Sequence, residues 1–164
     1  MSLMNMLVGL PMMLLCLVVQ AATTFWSVRH YVRRTAGAGA GAGFVAVTRP
    51  LLSSMIIMML GNFVQIVAWG ILFVVLDEFG EFYEAIYHSA VNYASLGYGD
   101  IVMSKRWKML GPLEAVNGVL MLGMTSAALV VILTELIKGQ RRALGLGDEP
   151  GFLTRASCKT LRES

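Results

Sequence analysis

Charge is what this chain has least of. Only 14% of its 164 residues are Asp, Glu, Lys or Arg, and 57% are hydrophobic. Ordinary soluble domains carry about 25% charged residues. A fold whose main solvent is water is therefore excluded, because so little polar sequence cannot cover the apolar remainder. Cysteine is almost as scarce. Cys16 lies in an apolar run and Cys158 in the tail, which excludes a disulfide framework and leaves two free thiols without metal-ligand spacing. His30 and His88 are far apart and no cluster of catalytic side chains is present, so the chain reads as a non-enzyme without a cofactor. Basic and aromatic residues do not interleave as they would on a nucleic-acid-binding surface. There is no N-x-S/T sequon and no internal repeat of helices.

What the chain has instead is three apolar stretches, Leu3 to Val28, Leu51 to Leu76 and Leu113 to Ile137. Each is long enough for the ~20 helical residues that cross a hydrocarbon core. The first two hold no charge, and the third holds only Glu114 and Glu135, one near each end. The fold class expected is an all-α membrane protein with three transmembrane helices. The first run has an alternative reading as a signal peptide, with Val19-Gln20-Ala21 as a loose cleavage site. Against this, no Lys or Arg precedes the run, and it is longer than a usual signal core. Its Asn5, Pro11 and Gln20 suggest packing against protein on one side.

Basic residues set the expected orientation. Arg29, Arg33, Arg34 and Arg49 separate the first two runs, and Lys138, Arg141 and Arg142 follow the third. The positive-inside rule puts both groups in the cytoplasm of a plasma (inner) membrane, with the N-terminus outside and the C-terminus cytoplasmic. The connection Asp77 to Pro112 then lies outside; its Lys105, Arg106 and Lys108 make the bias clear but not absolute. Ala36 to Gly43, AGAGAGAG, reads as a flexible cytoplasmic linker. The net charge of +3 is accounted for by this bias and by Arg155, Lys159 and Arg162 in the tail. Such a linker and tail suit contact with anionic lipid rather than nucleic acid.

Within the outer connection, Phe82 to Tyr93 has no Gly or Pro and suits a helix of about three turns, too short to span and so a candidate re-entrant helix. It runs into Ser95-Leu96-Gly97-Tyr98-Gly99-Asp100. Irregular backbone at membrane depth is tolerated only where it is buried in protein or lines a water-filled path. A dehydrated cation needs a ring of oxygens, and carbonyls from symmetric copies of one strand can supply it. Glycines at 97 and 99 permit positive φ and close approach of the copies. Tyr98 can then turn from the axis and wedge against the short helix, its hydroxyl bonded there. Two other readings are a nucleotide-binding turn, for which the third glycine is missing, and a tight turn between helices, which leaves the short helix unexplained.

A span, a short helix, a T-V-G-Y-G-D-like strand and another span resemble the pore unit of the tetrameric potassium-channel superfamily, over about Leu51 to Ile137. The resemblance implies a homotetramer in which Ser95, Leu96, Gly97, Tyr98 and Gly99 form the selectivity filter, with K+ as the permeant ligand at Ser95, Leu96, Gly97 and Tyr98. Ser95 stands for the usual threonine and Leu96 for the commoner Val or Ile. Tyr87 and His88 stand for the bracing tryptophan pair, Val91 occupies the site of an acid found in some members, and Asp100 follows the filter. His88 has a structural reading and a pH-sensing one. Gly118 and Gly123 to Ala128 resemble the inner helix, with Gly123 at the hinge position or, equally, a small residue for helix packing. That alignment turns Met124, Ala127, Val131 and Glu135 toward the pore axis, Glu135 either concentrating cations or merely solvated at a helix end.

The organisation expected is an N-terminal transmembrane helix over 1–28, a cytoplasmic linker over 29–50, a pore domain over 51–137 and a short basic tail over 138–164. Within the pore domain fall an outer helix 51–76, a pore helix at about 81–94, the filter 95–99 and an inner helix at about 112–137. No span carries arginine at every third position, so a voltage sensor of the usual kind is not expected, and the stretch after Arg142 is too short for a ligand-binding domain. Potassium-selective passive conduction is the function expected. The rival readings are a weakly selective cation pore and a non-conducting assembly or regulatory subunit that uses the loop only for packing.

Overall fold

A chain segment in hydrocarbon must satisfy its backbone N–H and C=O groups internally, which an apolar run achieves as a helix. The computed structural model of the chain describes residues 2–35 and 44–143. They form α1 (Ser2–Thr35), α2 (Phe44–Val75), α3 (Phe82–Tyr93) and α4 (Leu110–Ala143). Three helices are long and apolar enough to cross a membrane, over Leu3–Thr35, Thr48–Val75 and Leu110–Arg141. The chain is an all-α, multi-pass membrane protein.

The long helices have 32 to 34 residues, or ~50 Å, which exceeds a ~30 Å hydrocarbon core. This corrects the expected linker over 29–50, because residues 29–35 and 44–50 are helical. Nothing in Arg29 to Thr35 breaks a helix, and Arg33 and Arg34 in the last turn of α1 favour its negative end. At the other end of the chain α4 starts at Leu110 and runs past Ile137 to Ala143. The AGAGAGAG segment, Cys158 and the tail arginines and lysine lie outside the described residues.

Contacts fix the arrangement. Ser27 Oγ donates to the Ser54 carbonyl at 3.1 Å and Gln65 Nε2 to Gln20 Oε1 at 2.8 Å, so α1 and α2 run antiparallel. Asn5 Nδ2 donates to the Arg106 carbonyl at 2.9 Å and Gln20 Nε2 to Thr125 Oγ1 at 2.9 Å, so α1 and α4 run parallel. The start of α1 therefore shares an end of the molecule with the connection that holds α3 and the loop. His30 and Ser53, 3.1 Å apart, lie at the other end. Asn5 and Gln20 are buried, as packing against protein requires, whereas Pro11 is exposed.

α3 is wedged between α2 and α4, and two glycines admit it. A Cβ on Gly70 would stand 2.9 Å from Ile86 Cγ1, and one on Gly118 would strike the carbonyl of Tyr93. Around this wedge Met12, Cys16, Trp69, Phe73, Phe79, Ala85, Tyr93, Trp107, Leu110 and Met121 form one apolar core. Leu14, Val18, Phe25 and Trp26 of α1 point outward, an apolar face suited to lipid.

Candidate functional site

The loop begins at a helix end whose hydrogen bonds define its course. Ser95 N–H donates to the Asn92 carbonyl at 2.8 Å, and Leu96 N–H to the Val91 carbonyl at 2.9 Å. This pair, with φ +57° at Ser95, is the Schellman ending of a helix, normally given to glycine because it needs a left-handed residue. Buried Val91 thus contributes its carbonyl to the start of the loop. Gly97 and Gly99 have φ of +58° and +74°, as their lack of a Cβ permits. Leu96 and Tyr98 are not among the positive-φ residues, so the backbone changes hand at every residue from 95 to 99. Such alternation sets N–H groups along one edge and carbonyls along the other.

Ser95 to Asp100 are all exposed in the single chain. Among the described residues, no backbone hydrogen bond is accepted by the carbonyls of 95 to 99. Tyr98 is 66% exposed in the single chain.

Side chains of α3 contact the segment that follows the loop. Tyr87 donates its hydroxyl proton to Asp100 Oδ2 at 2.8 Å, tying α3 to the residue after the loop. That bond, the largest cause, holds the Asp100 carboxyl below its ordinary range and pushes the Tyr87 phenol up. His88 is buried, its ring centroid 5.0 Å from that of Phe79 and 5.7 Å from that of Phe73. Burial lowers its pKa, opposed by a hydrogen bond to the Ile101 backbone. Asn92 Nδ2, also on α3, lies 2.8 Å from His88 Nε2, and the Ile101 bond joins the ring to the segment that leaves the loop.

On α4, Gly123, Met124, Ala127, Val131 and Glu135 all lie on the exposed surface of the chain. A Cβ on Gly123 would meet nothing within 4 Å, so packing within the subunit does not account for this glycine, in contrast to Gly118. Glu135 accepts from Lys138 Nζ at 3.0 Å, both ends being half exposed, and is thus a paired charge about two turns from the helix end.

Sequence reasoning missed a buried polar seam. Tyr93 donates its hydroxyl to Gln65 Oε1 at 3.1 Å, Gln65 to Gln20, and Gln20 to Thr125, whose own hydroxyl donates to the Met121 carbonyl at 3.0 Å. Asn62 Nδ2 also donates to Thr125 Oγ1, at 3.2 Å. Higher on α4, Glu114 Oε1 lies 2.5 Å from Ser89 Oγ of α3, and Glu114 and Asn117 are fully buried. The available signal was polarity at helical spacing inside apolar spans: Asn62, Gln65 and Trp69 on α2, and Glu114, Asn117, Met121 and Thr125 on α4. Polar side chains at membrane depth mark functional positions by default.

Comparison with known proteins agrees with this geometry. Residues 59–135 match the family model described as ion channel. They take in the second half of α2, all of α3 and the loop, and α4 as far as Glu135. No curated protein and no solved structure matches the chain. The matched segment is the span, short helix, loop and span described above, and over these residues the chain is similar to the pore-loop ion-channel superfamily.

Proposed function

We propose that the protein is a potassium-selective channel in which four copies close around an axis and conduct K+ passively. Each copy contributes Ser95 to Gly99 as one wall of the filter. The observation that carries the reading is the loop's backbone, with alternating hand from 95 to 99 and a row of carbonyls that accept no backbone hydrogen bond. One row cannot surround an ion. A closed ring of rows can replace its hydration shell, and cyclic symmetry is the economical way to build it. The exposed Tyr98 then finds its wedge on a neighbouring copy, and Met124, Ala127, Val131 and Glu135 line the path below. The Tyr87 to Asp100 bond takes the bracing part. The basic ends of α1, α2 and α4 face the cytoplasm, where they meet anionic lipid.

The test is the reversal potential of the purified chain in liposomes under mixed potassium and sodium. A reversal near the potassium equilibrium value is expected. A reversal at zero with equal and opposite gradients identifies a weakly selective pore, and absence of current identifies a non-conducting subunit. Native mass spectrometry in lipid is expected to give a tetramer; monomers or dimers alone would defeat the ring.

A further inference from the structure

We propose that Gln20, in a helix outside the family's pore unit, is a positioning residue for the selectivity loop and that this is the task of α1. The inference rests on the reading of 95 to 99 as the filter for its functional consequence.

Tyr93 is the last residue of α3 and the last fixed point before the loop. Its backbone lies on Gly118, so closely that a Cβ there would strike its carbonyl. Its side chain is buried and ends on Gln65 Oε1 at 3.1 Å, with Asn62 Oδ1 at 3.4 Å. Gln65 can present that oxygen to Tyr93 only while its amide nitrogen has a partner on the opposite side, since an amide in an apolar interior swivels toward whatever satisfies it. The partner is Gln20 Oε1 at 2.8 Å. Gln20 is in turn held by Thr125 Oγ1 at 2.9 Å, two residues past Gly123 on the inner helix.

The donors run one way, from Tyr93 to Gln65 to Gln20 to Thr125 to the Met121 carbonyl, so each bond polarises the next. Asn62 of α2 meets the α4 hydroxyl directly, but Gln65, which holds the Tyr93 hydroxyl, reaches it only by way of the α1 side chain. Gln20 and Gln65 are both fully buried, and an unmade bond at either leaves a polar group in hydrocarbon. The filter's foot and the middle of the inner helix are thereby held by one fixture whose central member belongs to α1.

The experiment measures the loop directly. The full chain in nanodiscs is followed by hydrogen exchange at Ser95 and Leu96, whose amides are held by the Asn92 and Val91 carbonyls. Gln20→Leu is expected to speed their exchange about tenfold, as local opening becomes easier. Asn5→Ala, which removes a different polar contact of α1, should leave the rates within about twofold. Gln20→Met, closer in shape, and the pair Gln20→Leu with Gln65→Leu, which removes both partners at once, provide variants that assemble if the single change does not. Unchanged exchange in Gln20→Leu overturns the inference whatever the wild type conducts, and so does failure of all three to assemble, which makes the seam a folding element only.

Reversal potentials supply the second arm. In a selective wild type, Gln20→Leu should lower selectivity, and Tyr93→Phe should make Gln20→Leu silent because both act on one path. Full additivity of the two changes overturns the path. An unselective wild type defeats the filter reading and is recognised separately from either result.

Discussion

Ser95 allows the roles of backbone and hydroxyl in the proposed filter to be separated, because the structure gives them opposite consequences. Its φ of +57° costs an L-residue about 1–2 kcal/mol, and a β-branched residue more. Ser95→Gly removes that cost and gives back ~0.5–1 kcal/mol in chain entropy, so it should be neutral or slightly stabilising. Ser95→Val removes the same hydroxyl but crowds the left-handed backbone, and should destabilise by at least ~1 kcal/mol per copy. A shift of 1–2 kcal/mol changes the ratio of ordered to disordered loop by a factor of about 5–30. If four loops must be ordered together, the equilibrium constant for the competent ring falls by roughly the fourth power of that factor, several hundredfold at its lower end. Gly97→Ala should act likewise: its φ is +58° and a Cβ would meet nothing within 4 Å, so in the single chain the cost is backbone alone. The assay is potassium flux into liposomes, paired with the melting midpoint of the assembly in potassium. Ser95→Gly should retain flux and midpoint while Ser95→Val and Gly97→Ala lose both. If Ser95→Gly fails as completely as Ser95→Val, the hydroxyl decides and the argument from φ is refuted.

The Asp100 carboxyl is held below its ordinary pKa of 3.8, chiefly by the Tyr87 hydroxyl, so its contribution is fully present above pH 3.8 and is lost as pH falls through the lowered value. Loop exchange and reversal potential should therefore be constant from pH 8 to 5 as far as this group is concerned. Tyr87→Phe should move the acid onset up toward 3.8; an unmoved onset would show that the bond has no effect in the assembly. Gly118→Ala should unseat Tyr93 and cost ~1–3 kcal/mol by overpacking, read as a lowered melting midpoint, whereas Gly123→Ala, with open space around it, should leave the midpoint within about 0.5 kcal/mol while altering open probability. Equal loss of stability at both glycines would contradict the contrast drawn between them.

The extent to which the site could be read from sequence depended on the range of the forces involved. The spans were legible because desolvation acts on every residue: scarcity of charge and runs of Leu, Val and Met decide the medium without any knowledge of neighbours. The loop was legible because Gly97 and Gly99 carry a local signal, backbone that only glycine adopts freely, and both do have positive φ. The left-handed backbone at Ser95 escaped notice for the same reason in reverse, since it goes with the helix-ending bonds of Ser95 to Asn92 and Leu96 to Val91 and is not announced by the residue type. The linker was placed too wide because hydropathy reports where hydrocarbon ends, not where a helix ends.

The polar seam required knowledge that no single run contains. Gln20, Asn62, Gln65, Tyr93 and Thr125 are separated by up to 105 positions between bonded partners, and each taken alone is a blemish in an apolar stretch. A lone Gln in a membrane helix is costly, so its persistence argues for a partner without saying which. Spacing narrows the choice. Asn62, Gln65 and Trp69 fall on one face of α2, and Glu114, Asn117, Met121 and Thr125 on one face of α4, so two helices each present a polar line toward the interior. Asn62 of α2 meets Thr125 of α4 directly, whereas Gln65 reaches Thr125 through a third side chain, Gln20 of α1. That is the physical reason to expect α1 to be more than an anchor: without it, the matched pore unit would bury Gln65 and Thr125 with fewer partners than they have in the chain.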